Sequence, residues 1–179
     1  MRALSRRNFV GMGLAAATTF IARGALALPA RNERILGFHS LHTGEKFVGP
    51  YWEKGNYLAD ALAQIRHVLR DHRNDEEHEV DPNLLDLLTE LRGHLQTAQP
   101  FQVICGYRSP QTNDEMREEG HRGVAAHSYH MAGQAIDIRV EGRSLKSVRN
   151  AALTMAAGGV GYYRRSNFVH VDVGPVRHW

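Results

Sequence analysis

Three short apolar runs constrain this chain most: Phe101 to Cys105, Gln134 to Val140 and Phe168 to Asp172. Each is too short for a stable helix and rich in Val, Ile or Phe, so each reads as a buried strand. The segments between them carry helical spacing. Leu58, Leu62, Ile65 and Leu69 recur after Asn56, with Val68 beside them. Asp81 is a good N-cap with Pro82 at the first helical position. Leu84, Leu85, Leu87, Leu88, Leu91 and Leu95 then form a broad apolar face, which Pro100 ends. Ser109-Pro110 starts another helix to about Glu118, and Ser144 to Ala157 a further one with Leu145, Val148, Ala152 and Met155 inward. Arg34 to His42 pairs with Lys46 to Tyr51 around Thr43-Gly44-Glu45, and a second hairpin, Gly158 to Tyr163 with Phe168 to Asp172, closes the chain. Helices and strands without strict alternation predict an α+β fold, a small mixed or antiparallel sheet with flanking helices.

One Cys in 179 residues excludes a disulfide scaffold, and 42% apolar content excludes a disordered chain. The formal charge of +3 is misleading. Residues 1–27 contribute Arg2, Arg6, Arg7 and Arg23 and no acid, which leaves 18 basic and 19 acidic residues in 28–179. No basic stripe remains to favour nucleic acid. The first segment reads as an address. Ser5-Arg6-Arg7-Asn8-Phe9-Val10 is followed by a weakly apolar run, Val10 to Ala22, and by the small-x-small pattern Ala25-Leu26-Ala27. The paired arginines resemble the twin-arginine export signal, which implies a periplasmic protein. The run of about 13 residues is shorter than the ~20 that span a bilayer, so no span is expected after cleavage. The expected division is a signal peptide at 1–27 and one domain at 28–179.

Most of the eleven His residues lie on polar faces or loops. His130 and His170 differ. His130 opens the string His130-Met131-Ala132-Gly133-Gln134-Ala135-Ile136-Asp137, in which Gly133 permits a tight turn between a loop and a strand. His170 lies on a neighbouring strand. Two imidazoles and a carboxylate with an open fourth position are the pattern of catalytic zinc. A second reading also fits the spacing: Asp137 as a buried carboxylate paired with Arg139 or Arg108. Cys105, inside a strand, reads as a small buried hydrophobe. Tyr162-Tyr163 and Arg177-His178-Trp179 read either as the wall of a groove or as core.

The string, with Ser128 two residues before His130, resembles the Ser-x-His-x-x-Gly-x-Ala-x-Asp motif of the zinc D-Ala-D-Ala peptidases, which group with lysostaphin-type enzymes and hedgehog domains. Cys105-Gly106-Tyr107-Arg108-Ser109-Pro110 resembles that family's Gly-Tyr-Arg-Ser box, and Phe168-Val169-His170-Val171-Asp172 its closing His-x-Asp. The mature chain is most similar to the YcbK-like, murein-endopeptidase branch. The resemblance implies a hedgehog-like fold and one zinc ion held by His130, Asp137 and His170. It implies a substrate among peptidoglycan stem peptides, with cross-links between two diaminopimelate residues as the bond cut. Arg108 then steadies substrate or oxyanion, and Ser128 and His127 contact substrate. Many relatives carry Glu three residues before the last ligand, but Asn167 stands there. Asp172, on the same strand face as His170, is the expected base, with His127 as its rival. A non-catalytic zinc-containing binding module is the alternative.

Replacing Arg6 and Arg7 together by Lys is expected to strand the precursor in the cytoplasm. Cell fractionation checks this, and undiminished export of that variant would point to the general secretory route.

Overall fold

The computed structural model describes residues 32–121 and 123–179; the 1–27 segment and its export signal lie outside them. The described residues form an eight-stranded sheet: β1 (Glu33–Ser40), β2 (Lys46–Glu53), β3 (Asn56–Tyr57), β4 (Phe101–Cys105), β5 (Ala135–Val140), β6 (Gly159–Tyr163), β7 (Phe168–Asp172) and β8 (Arg177–His178). Its order is β3-β2-β1-β4-β5-β7-β6-β8. The pairs β1–β4 and β6–β8 are parallel and the others antiparallel, so the sheet is mixed, and the fold is α+β. Four helices flank it: α1 (Ala59–Val68), α2 (Pro82–His94), α3 (Pro110–Glu118) and α4 (Leu145–Met155). No described helix is long and apolar enough to cross a membrane.

Local chemistry explains most boundaries. Asp81 caps α2 by accepting from Asn83 N–H, and Ser109 caps α3 by accepting from Thr112 N–H, each with Pro at the helix start. All six leucines expected on the apolar face of α2 and its end are buried. Together with Ile65, Phe38, Phe101, Ile136, Ile138 and Val148 they belong to one core. Two expectations are corrected. Asn56-Tyr57 pairs with β2 as a short strand, so α1 begins later, and residues 177–178 add β8 beside β6. Both strands have only two residues, too few to show a periodicity.

Alternation along β5 and β7 separates core from chemistry. Ile136, Ile138, Val169 and Val171 enter the core, while Asp137 and His170 point to the other face, directly opposite each other. In β4 the register shifts between Val103 and Cys105, so Ile104 and Cys105 together oppose Asp137. A buried carboxylate, Asp71, anchors the segment that follows. It accepts from Ser109 N–H at 2.9 Å and Arg73 N–H at 3.0 Å, fixing the turn that carries Arg108.

Asp71→Ala leaves the buried Ser109 N–H without its acceptor. It is expected to cost about 1–3 kcal/mol of stability, read from urea unfolding.

Candidate metal centre

His130 lies in a single 3₁₀ turn, Tyr129–Ala132, that Ser128 caps by accepting from His130 N–H. Gly133 ends this turn at a φ of 65°, and a side chain there would collide with the Glu79 carbonyl. Asp81 N–H donates to the Gly133 carbonyl at 3.0 Å, so the close approach of the two segments fixes where His130 starts. Asp137 and His170 come from the centre of the sheet. All three side chains are buried.

Their donor atoms converge. His130 Nε2 lies 3.2 Å from His170 Nδ1 and 3.3 Å from Asp137 Oδ1, and His170 Nδ1 lies 2.9 Å from Asp137 Oδ1. A tetrahedral zinc site with ~2.0–2.1 Å bonds holds its ligand atoms about 3.3–3.4 Å apart. The outward nitrogens fix the tautomers. His130 Nδ1 faces the Gly106 carbonyl at 2.7 Å and His170 Nε2 faces Asp172 Oδ2 at 2.8 Å. Both partners only accept, so each ring carries its proton outward and turns a lone pair inward. Two lone pairs and a carboxylate oxygen then meet in a buried space, an arrangement that calls for a cation.

Electrostatics agree. Burial opposes charge on His130, but the Cys105 sulfur and Asp137 outweigh it and raise its pKa, so the nitrogen facing Asp137 readily takes positive charge, either a second proton or a metal ion in its place. Burial alone would raise the Asp137 pKa, but attraction to His130 and hydrogen bonds from both imidazoles hold it well below the usual carboxylate range. The Asp137 carboxylate is therefore ionised. No ion pair joins it to Arg139 or Arg108 among the described residues; Arg139 bonds Gln102 instead.

Asp172, the expected base, has a carboxylate engaged from several sides. Its carboxylate is fully buried on the far side of the His170 ring. It accepts from Gly159 N–H at 3.2 Å, Gly174 N–H at 2.8 Å and two Arg177 donors at 3.0 and 2.7 Å. Burial opposes its charge, but the bonds from His170, Arg177 and Gly174 hold its pKa well below the usual range. A carboxylate so engaged holds a proton poorly and faces away from the space between the ligands. It orients His170. Asn167, in the position where relatives carry Glu, has a φ of 59° and serves the β6–β7 turn.

A cavity of about 480 Å³ opens over the centre. Arg108, His127, Ser128, Tyr163, Arg177 and Trp179 line it, so the expected contact residues converge there, and the groove-wall reading holds for Tyr163 and Trp179. Arg108 is half-buried, with Nη1 3.5 Å from Asn113 Oδ1 and Nη2 3.5 Å from Cys105 Sγ. The sequence reading missed Cys105: the sulfur lies within 4.8 Å of the donor atoms of His130 and Asp137 rather than in the core. The bulge in β4 turns it there, and spacing alone does not reveal a bulge.

A family model described as Peptidoglycan L,D-endopeptidase MepK matches residues 28–179. The Peptidoglycan L,D-endopeptidase MepK of Escherichia coli strain K12 is 45% identical over 177 residues, 98% of this chain and 97% of the relative. The Probable peptidoglycan L,D-endopeptidase MepK of Haemophilus influenzae is 38% identical over 178 residues, 98% of this chain and 95% of the relative. Among solved structures, the L-Ala D-Glu endopeptidase ChiX of Serratia marcescens aligns with a TM-score of 0.37 at 21% identity, over 52% of this chain and 80% of that one.

Asp172→Asn keeps the shape of the His170 partner but weakens its hold on the ring. Zinc affinity is expected to fall roughly 10–100-fold by calorimetric titration, and excess zinc should restore what activity is lost. Unchanged affinity with lost turnover would return the base role to Asp172.

Proposed function

The chain belongs to the peptidoglycan L,D-endopeptidase MepK family of M15 peptidases, and from that premise we propose that it uses one zinc ion to cut peptide cross-links of peptidoglycan. The M15 peptidases are zinc-dependent metallopeptidases, and this chain is a hydrolase of that class. The observation that carries the reading is the convergence of His130, Asp137 and His170, two imidazole lone pairs and an ionised carboxylate, beneath an open cavity. The L,D bond between two diaminopimelate residues is the proposed target, in keeping with the name the relatives carry. A non-catalytic binding module finds no support in relatives that are peptidases over nearly their whole length.

His130, Asp137 and His170 hold the ion. Bound zinc supplies a Lewis acid for the scissile carbonyl and draws the pKa of water towards ~7. Asp172 keeps the His170 lone pair aimed inward. Arg108, with no carboxylate partner among the described residues, presents its guanidinium to the cavity, where it grips a substrate carboxylate or the oxygen that gains charge. His127, exposed on the cavity wall three residues before His130, takes the proton that Asp172 is too engaged to accept. Ser128 borders the same space and receives the substrate backbone.

Peptidoglycan lies outside the cytoplasmic membrane, so the protein works there. Residues 1–27 are its address, through the twin-arginine route to the periplasm. Arg6-Arg7 supports this, as does a family match that begins at residue 28.

Purified mature protein is expected to release cross-linked fragments from sacculi, to stop on addition of a chelator and to resume with zinc. Masses of the released muropeptides identify the bond, and intact cross-links after digestion would sink the assignment. His127→Ala is expected to keep zinc while kcat falls by ~10²–10⁴. Near-normal turnover would remove His127 from the reaction.

A further inference from the structure

Charge is divided unevenly along this chain. Residues 28–141 hold 12 basic and 18 acidic residues, whereas residues 142–179 hold six basic residues and one acid, Asp172. Asp172 is buried and bonded to Arg177, so it neutralises nothing on the surface. Arg164 and Arg165 sit in the turn between β6 and β7, both exposed, and among the described residues neither forms an ion pair.

A groove of about 780 Å³ runs beside them. It shares Tyr163, Ser166, Arg177 and Trp179 with the cavity over the metal centre, so the two are arms of one cleft. Its floor is aromatic and held in place. Tyr163 stacks on Phe168 with centroids 4.5 Å apart, Trp179 Nε1–H donates to Tyr163 Oη at 2.8 Å, and the Trp179 ring lies 5.3 Å from His170. Among the described residues, no Asp or Glu lines this arm.

We propose that this arm is a binding subsite for free carboxylates of the peptide substrate, with Arg164 and Arg165 as the residues that select for them. The inference rests on the peptidoglycan reading given above. An endopeptidase substrate runs to both sides of the bond that is cut, so it extends from the metal centre into a neighbouring arm. Stem peptides carry free carboxylates along that path. A guanidinium meets a carboxylate with two parallel donors, and an aromatic floor packs the aliphatic parts between. Arg177 borders both arms but is held by Asp172, which leaves Arg164 and Arg165 as the free cations of this wall among the described residues.

The test compares purified cross-linked muropeptides with the same fragments after chemical amidation of their carboxylates. Arg164→Glu with Arg165→Glu is expected to raise KM for the free-acid substrate by roughly tenfold or more, the loss falling on KM rather than kcat. Arg164→Gln with Arg165→Gln should give a smaller rise in the same direction. Raising the salt should bring the wild-type KM towards that of the variants. For the amidated substrate, wild type and variants should have similar KM values. An unchanged KM, or an equal rise with both substrates, overturns the subsite while leaving the peptidase reading intact. Failure of the wild type to cleave either substrate overturns both.

Discussion

Asp137 faces His170 across β5 and β7 in the middle of the sheet, and their 2.9 Å contact sets the terms for everything around it. A buried ionised carboxylate is costly unless an opposite charge meets it. The outward protons of the two rings are committed elsewhere. The Gly106 carbonyl takes the proton of His130 and Asp172 takes that of His170. The charge of Asp137 is therefore met by positive charge placed among the three side chains, a proton on the inward nitrogen of His130 or a metal ion in its place. The fold supports this through alternation: the same two strands that aim Asp137 and His170 one way send Ile136, Ile138, Val169 and Val171 into the core beneath the helices. Losing register by one residue would bury the ligands among leucines and expose the valines.

The surroundings of the centre are built for close approach. Gly133 lets the chain before α2 lie against the turn that bears His130. Gly158 and Gly159 do the same beside Asp172, where a side chain on either would collide with the Asp172 backbone or carboxylate. The result is a carboxylate surrounded by donors on all sides and a His170 ring that cannot turn. Rigid support of this kind matters more in a three-ligand site than in a closed four-ligand one, because the open position leaves less to hold the geometry.

Much of this was legible in the sequence. The leucine pattern of α2, the proline-marked starts of α2 and α3 and the three central strands all follow from local periodicity and capping. The candidate metal ligands were legible from the His130-to-Asp137 spacing only as one of two readings, and the resemblance favoured one of them. The depth of Asp172 was not legible. Spacing by two places it on the face of His170, but spacing says nothing of depth, and Gly159, Gly174 and Arg177 reach it from outside its own strand. Cys105 escaped for a related reason. Counting by twos along β4 puts it in register with the core, and only the bulge opposite Asp137 turns it towards the ligands.

Arg177 shows how the two ends of the site are joined. It gives two donors to Asp172, and its guanidinium lies 5.0 Å from the Tyr129 ring and 5.2 Å from the Trp179 ring. One side chain thus satisfies the carboxylate that steadies His170 and props the aromatic wall of the cleft. A cation in that role is not free to recognise substrate, since turning towards a new carboxylate would leave Asp172 charged and buried. Among the described residues, the guanidiniums of the cleft without a carboxylate partner are Arg108 at the candidate metal centre and Arg164 and Arg165 further along, and these are open to a substrate carboxylate. Arginines placed alike on the surface are separated in function by which of them already holds an acid.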